Sequence, residues 1–371
     1  MSGAALCPLA GTTVLDLSRM LPGAVLARML LDLGARLIKI EEPETGDPMR
    51  HLPPLVDGVG AGFCSFFRGA ESVCLDLKDP NGASIVRRLA ARTDVLVESF
   101  RPGTLEAWGL SPESLTQENP RLVICSLSGF GDTGPEAGRV GHDINFAAWS
   151  GLLSLIPGGQ VPGIQVADVT SALLACSSVL AALLDRVRTN RGAHFHQPLA
   201  SGPLPFLSFA IADAAAGADS AAERLLSGKC PAYRLYRCGD GLDLALGALE
   251  PKFWEEFTEM IGVSGAAEHG LDLGEQGGRA AQRVEDRLRT QPREHWLDLA
   301  RDRNLPVTPV HDLNAAREAL QGAGLLEETP APGGTTIATP APYTASVGAT
   351  PRHPAPALGE HTERTLAELD L

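Results

Sequence analysis

No stretch of the 371-residue sequence is densely basic, and acidic residues outnumber basic ones, 45 to 31, for a formal charge of −14. Nucleic-acid phosphates are held by clustered Lys and Arg, so a nucleic-acid surface is not expected and any anionic ligand must be held by a few placed groups. Long apolar runs are also lacking. The longest, Ala172 to Leu184, contains Ser177 and Ser178 and falls short of the ~20 residues that span a bilayer, so no membrane helix is expected. Residues Met1 to Leu6 place no basic flank before an apolar run, which does not read as a secretion signal and gives a cytoplasmic expectation. The seven cysteines are odd in number and scattered, with no Cys-x-x-Cys pair, so they read as buried free thiols and no metal centre is expected. Neither a Walker loop nor a Gly-x-Ser-x-Gly elbow occurs, which leaves kinase and serine-hydrolase readings without support.

The sequence does hold enough apolar material, 44% of residues, to bury two or three domain cores, and this excludes disorder over most of the chain. Strand candidates at Thr13–Leu17, Arg36–Ile40, Val73–Leu77, Val95–Glu98 and Leu122–Ser126 alternate with helical stretches ending at Gly34, at Asn81–Arg92 and near Thr104–Trp108. That alternation indicates parallel βαβ units. Asp143–Leu155 and Asp168–Arg188 are too continuously apolar for surface helices and are expected to be buried. After a shift to Ala, Gly, Ser and Asp near Asp219, Ala232–Tyr236 and Leu242–Ala248 flank Gly239-Asp240-Gly241, a hairpin signal opening a second domain. Helices are expected at Lys252–Ile261, Arg279–Arg289 and Arg293–Arg303. The Pro-, Thr- and Gly-rich stretch Thr329–Pro356 reads as an ordered but irregular return segment.

Three local patterns bear on chemistry. Gly129-Phe130-Gly131-Asp132-Thr133-Gly134 matches a dinucleotide loop but runs into Pro135 and Gly138 instead of an apolar helix, so it fails the context that motif needs. His194-Phe195-His196 puts two imidazoles on one face of a strand without an evident third ligand, and a half-exposed strand is the better reading. Gly141-His142-Asp143 and Asp168 each open a buried helix. On composition alone the acids read as helix caps, with His142 a bystander.

Taken in order, Val14-Leu15-Asp16-Leu17-Ser18, Leu33-Gly34-Ala35 with Lys39-Ile40-Glu41, Leu75-Asp76-Leu77-Lys78, Phe100-Arg101-Pro102-Gly103, Ser128-Gly129-Phe130-Gly131, Gly141-His142-Asp143-Ile144-Asn145, Ala248-Leu249-Glu250-Pro251 and Pro356-Ala357-Leu358-Gly359-Glu360-His361 resemble the family III CoA-transferases, and within them the α-methylacyl-CoA racemase branch. The resemblance implies an α/β fold. A Rossmann-like large domain is built from both chain ends (1–220 with 315–371), a small α/β domain covers 221–314, and two subunits interlock as a homodimer. It implies an acid/base pair at His142 and Asp168, with Glu250 near the histidine and Asp143 near the aspartate. Coenzyme A, as a moiety of an acyl thioester substrate, falls to Lys39, Leu75, Lys78, Arg101 and Gly141, and no prosthetic group is implied. In the transferase branch Asp168 would instead be a nucleophile.

Inverting a stereocentre beside a thioester needs one group to remove the α-proton and another to return a proton on the opposite face. An imidazole and a buried carboxyl group both exchange protons near neutral pH. The enolate formed between these steps needs N–H donors, expected at the start of the Asp168 helix. The chain also departs from the family pattern. Ala70, Glu71 and Ala107 stand where three cations are usual, Val169-Thr170-Ser171 replaces a Gly-rich stretch, and Phe195-His196-Gln197 replaces a Val-Asp strand. These departures give an alternative expectation, a repurposed enzyme acting on a substrate without free CoA. A non-catalytic homologue is the third reading.

Overall fold

Short runs of Val, Ile and Leu can hide both faces only in a sheet covered on both sides, and the chain uses its strands in that way. A computed structural model describes residues 6–217, 225–343 and 353–370. Two units divide the chain: Met1–Ser150 with Pro162–Leu204 and Leu320–Leu371, and Gly151–Val161 with Pro205–Ala319.

In the first unit six parallel strands, β1 (Thr13–Asp16), β2 (Arg36–Glu41), β3 (Glu71–Cys74), β4 (Val95–Glu98), β5 (Val123–Ser128) and β6 (His194–Pro198), lie in the order β3-β2-β1-β4-β5-β6. Val14 is in register with Leu37 on one side and Val95 on the other. Side-chain alternation sends Val14, Val95 and Val123 to one core and Leu15, Leu96 and Ile124 to the other. Helix α1 (Met20–Asp32) closes the first face and α2 (Pro80–Ala90) the second, followed in the chain by α3 (Asp143–Trp149) and α4 (Val166–Thr189). Ala172, Ala175 and Cys176 let α4 pack closely along α1 on the first face.

Two of the helix expectations are corrected. The α3 helix stops at Trp149 because Gly151 takes φ +93°, a left-handed turn that ends it before the apolar run does. Its Trp149 and Ile144 are exposed, as are Leu184 and Val187 of α4, at 75% and 84%. Helix α4 is also longer than the apolar run Ala172 to Leu184, and its 24 residues could cross a bilayer by length and composition. The same helix buries Asp168 and Arg186, and Arg186 Nη2 pairs with Asp94 at 3.0 Å.

A further hairpin, β10 (Leu326–Pro330) and β11 (Thr336–Pro340), numbered after three strands of the other unit, runs into the segment read as irregular. Its threonines are β-branched residues that suit a pleated surface. Thr329 and Thr339 are buried within it with their hydroxyls 2.6 Å apart. Residues 344–352 of that segment lie outside the described residues. Two thiols also differ from expectation, Cys7 being exposed and Cys74 half-buried.

The second unit holds the antiparallel strands β7 (Tyr233–Arg237), β8 (Asp243–Gly247) and β9 (Val307–Pro309), with β8 in the middle. Helix α5 (Leu204–Ala215) enters this unit, and α6 (Pro251–Ile261), α7 (Glu275–Leu288) and α8 (Arg293–Asp302) supply Trp254, Phe257, Val284 and Trp296 to its core. The expected hairpin around Gly239-Asp240-Gly241 is present, with Ala245 opposite Leu235.

Candidate active site

Strand order reverses between β1 and β4, since β1 leads outward through β2 and β4 through β5. In open parallel sheets the loops at the carboxyl ends of such a pair diverge and leave a crevice. A cleft of about 720 Å³ opens there, lined by Arg19 and Met20 after β1, Phe100 and Arg101 after β4, and Gly129 and Phe130 after β5. The Arg19 N–H donates to Ser99 Oγ at 2.9 Å and joins the first two of these turns. Met20 holds φ +63°, a strained backbone for a side chain with a Cβ, directly at the cleft wall.

His142 and Asp168 line this cleft together. Neither acid caps a helix in the way composition suggests. His142 occupies the N-cap of α3, where its N–H donates to Asn145 Oδ1 at 3.0 Å, and its side chain is exposed. Asp143 uses its carboxylate elsewhere, accepting the Asp168 N–H on Oδ1 at 2.9 Å. Asp168 lies in the first turn of α4, 6% exposed, and its Oδ2 accepts from Gln165 Nε2 at 2.8 Å. Burial raises the Asp168 carboxyl to about 6, and the Asp143 charge pushes the same way. The Gln165 hydrogen bond and His142 oppose them without cancelling them. The result is a carboxyl group poised to gain or lose a proton near neutrality.

The glycines around His142 serve a packing role. A Cβ on Gly141 would come within 2.8 Å of Phe146 Cε1, and one on Gly129 within 2.9 Å of the same atom. Phe146 cannot yield easily, being 2% exposed and edge-on to Phe130 at 5.1 Å. Gly141→Ala is therefore expected to destabilise the protein by about 1–3 kcal/mol through overpacking, and to lower turnover by displacing His142. Thermal unfolding and initial rates on the purified variant check both.

The residues implied for CoA divide. Arg101 and Gly141 line the cleft, and Leu75 and Lys78 line a neighbouring groove shared with Arg19, Phe100 and Trp108. Lys39 is corrected. It is 1% exposed, with Nζ 3.3 Å from Asp16 Oδ2, 3.0 Å from Asp47 Oδ2 and 3.0 Å from the Ser18 carbonyl. Its charge is neutralised inside the sheet, where it anchors the turn that leads to Arg19. Glu250 is an exposed residue of the second unit, directly before α6. Of the N–H donors at the start of α4, where the enolate is expected to be held, that of Asp168 is taken by Asp143.

The absent cations also read differently in three dimensions. Glu71 is the first residue of β3, so it sits at the amino end of a parallel sheet whose cleft opens at the carboxyl end. There it pairs with Arg36 at 2.8 Å and Arg364 at 2.9 Å. Ala107 borders a groove that also holds Lys78 and Arg87. Arg19, Lys78 and Arg101 make no ion pair among the described residues and are exposed, leaving three unpaired cations about the cleft and groove beside Arg139, which pairs with Glu136. Sequence reasoning missed Arg19, Met20 and Gln165. The signal for Gln165 was its position three residues before Asp168, one helical turn away. No group of three His, Cys, Asp or Glu is placed to hold a metal ion among the described residues.

The model of CoA-transferase family III matches residues 9–362. The chain is 32% identical to human alpha-methylacyl-CoA racemase over 97% of this chain and 93% of that protein. It is 29% identical to human succinyl-CoA:glutarate CoA-transferase over 98% of this chain and 86% of that one. In three dimensions it is similar to the crystal structure of a CaiB/BaiF family protein from Brucella suis, with a TM-score of 0.85 and 28% identity over 98% of this chain and all of that one.

Proposed function

The chain belongs to CoA-transferase family III, and we propose that it exchanges the α-proton of a 2-methylacyl-CoA thioester through His142 and Asp168. The observation that carries this reading is the pairing, in one cleft, of an imidazole with a buried carboxyl group raised to about 6. A carboxyl group that gains and loses a proton near neutrality, beside an imidazole in the same cleft, suits a reaction that runs in either direction. One breaks the C–H bond and takes the proton, the electron pair moves into the thioester as an enolate, and the other gives a proton to the opposite face. Arg19, Lys78 and Arg101 are the cations this reading assigns to the CoA phosphates. The alternative of a substrate without free CoA loses much of its motivation, because Glu71 is satisfied by Arg36 and Arg364 at the far end of the sheet.

Incubation of a 2-methylacyl-CoA ester in deuterated water tests the proposal. Deuterium at the α-carbon, lost in His142→Ala, is the expected result, and incorporation no greater than in that variant would overturn it. A second reading, CoA transfer with Asp168 as the nucleophile, is favoured by the similarity to a named transferase. In that reaction the carboxylate displaces CoA from the thioester and forms an anhydride. Hydroxylamine trapping at Asp168 in the presence of acyl-CoA would establish it.

The reading includes an interlocked homodimer. Leu184 and Val187 of α4, each at least 75% exposed in the single chain, support a covered surface. Sedimentation equilibrium is expected to give twice the 39.0 kDa chain mass, and a monomer would remove this part of the proposal.

A further inference from the structure

The loop from Gly129 to His142 is glycine-rich, and Gly131, Gly134 and Gly138 hold positive φ. Its first residues nevertheless form a wall of the cleft. A wall made of such a chain segment needs a tether, because each unrestrained residue keeps conformational entropy that ligand binding must remove. Among the described residues, one polar side-chain contact joins residues 131–138 to the sheet: Asp132 Oδ2 lies 3.3 Å from His196 Nε2 on β6.

His196 is itself held from behind. Its ring centroid lies 4.6 Å from that of His194, and His194 Nε2 lies 3.1 Å from Ser126 Oγ on β5. Ser126 is in register with Glu98 at the end of β4, and Glu98 Oε2 accepts the Phe100 N–H at 2.7 Å. Phe100 belongs to the other wall of the cleft. Glu98, Ser126, His194, His196 and Asp132 thus form a line across three strands, with one end at each wall. Burial raises Glu98 to about 7 and, with the neighbouring His196, lowers His194. Glu113, Asp132 and Glu106 are the acids facing His194 from the surrounding loops and helices.

We propose that the Asp132–His196 contact is a clasp that fixes the Gly129–Gly131 wall of the cleft, braced through His194, Ser126 and Glu98 against the Phe100 wall. Both are positioning residues. The ligand readout below rests on the CoA reading, whereas the exchange readout does not.

The test uses the full chain with Asp132→Ala, His196→Ala, the double variant and Asp132→Asn. Amide hydrogen exchange over 129–138 is measured without ligand, and coenzyme A itself is titrated by calorimetry. Each alanine variant is expected to speed loop exchange and weaken coenzyme A binding roughly tenfold, the scale of one hydrogen bond to a charged group. The double variant adds nothing to either single effect, and Asp132→Asn, which still accepts a hydrogen bond, restores most of the loss. Unchanged loop exchange, additive effects in the double variant, or acceleration spread equally through β5 would each overturn the clasp. If the exchange pattern holds but the native chain binds no coenzyme A, the CoA reading falls and the clasp stands.

Discussion

Alanine at Asp168 is expected to slow α-proton exchange by roughly 10²–10⁴-fold, the usual contribution of a positioned acid or base, with the fold retained. In the direction where Asp168 is the base it must be ionised, so the rate is expected to rise with pH through a limb near 6. The causes of that pKa make the limb movable in both directions. Asp143→Asn removes a repelling charge but keeps an oxygen to accept the Asp168 N–H, and the limb moves toward acid. Gln165→Met removes the hydrogen bond that favours the carboxylate, and the limb moves toward base. A limb at the same pH in native enzyme and both variants would show that another group titrates there.

Stability follows with the opposite sign to a salt-bridged acid. A carboxyl group whose pKa is raised on folding binds its proton more tightly in the native state, so its contribution declines as pH rises from the unfolded value toward about 6. Above that pH, Asp168→Asn is expected to be more stable than the native chain while being inactive. Urea midpoints at pH 5 and pH 8 measure this, and a variant less stable at pH 8 would contradict the account of burial.

Much of the sheet was legible because its strands are buried on both faces and therefore read as continuous apolar runs, as at Val95–Glu98. The helix around Asp168 was legible from its long apolar run, although Leu184 and Val187 on it face out. What a single sequence does not show is which way a residue faces or which end of a strand it occupies. Lys39 fell in a family motif, but its register opposite Asp16 on the adjacent strand turns the ammonium into the sheet. Glu71 looked like a charge lost from the ligand site until the parallel direction of β3 placed it at the other end. The β10–β11 hairpin was hidden by composition, since Pro and Gly suggest loops while Thr329 and Thr339, diagonal across the two strands, share a buried hydrogen bond. The histidines of β6 carried a readable strand pattern, but their partner Asp132 lies in a loop 62–64 residues earlier and only folding brings it to His196.

The largest effect on stability is expected at a charge pair remote from the chemistry. Arg28 and Asp32 are each 1% exposed on α1, with Arg28 Nε donating to Asp32 Oδ2 at 3.0 Å. Arg68, equally buried, stands beside them and reaches Glu327 and the Pro340 carbonyl of the β10–β11 hairpin. Burial lowers Arg28 to about 10 and raises Asp32, so for both groups desolvation outweighs the partner's attraction. Removing only the acid leaves a buried guanidinium with a second one nearby, and Asp32→Ala is expected to cost about 3–5 kcal/mol. Replacing both partners, as in Arg28→Met with Asp32→Leu, removes the buried charges together and is expected to be neutral or stabilising by about 1–4 kcal/mol. Chemical denaturation of the native chain, the single variant and the double variant separates the cases. A double variant as unstable as Asp32→Ala would mean that the ion pair itself, and not the cost of stranding one charge, holds α1 in place.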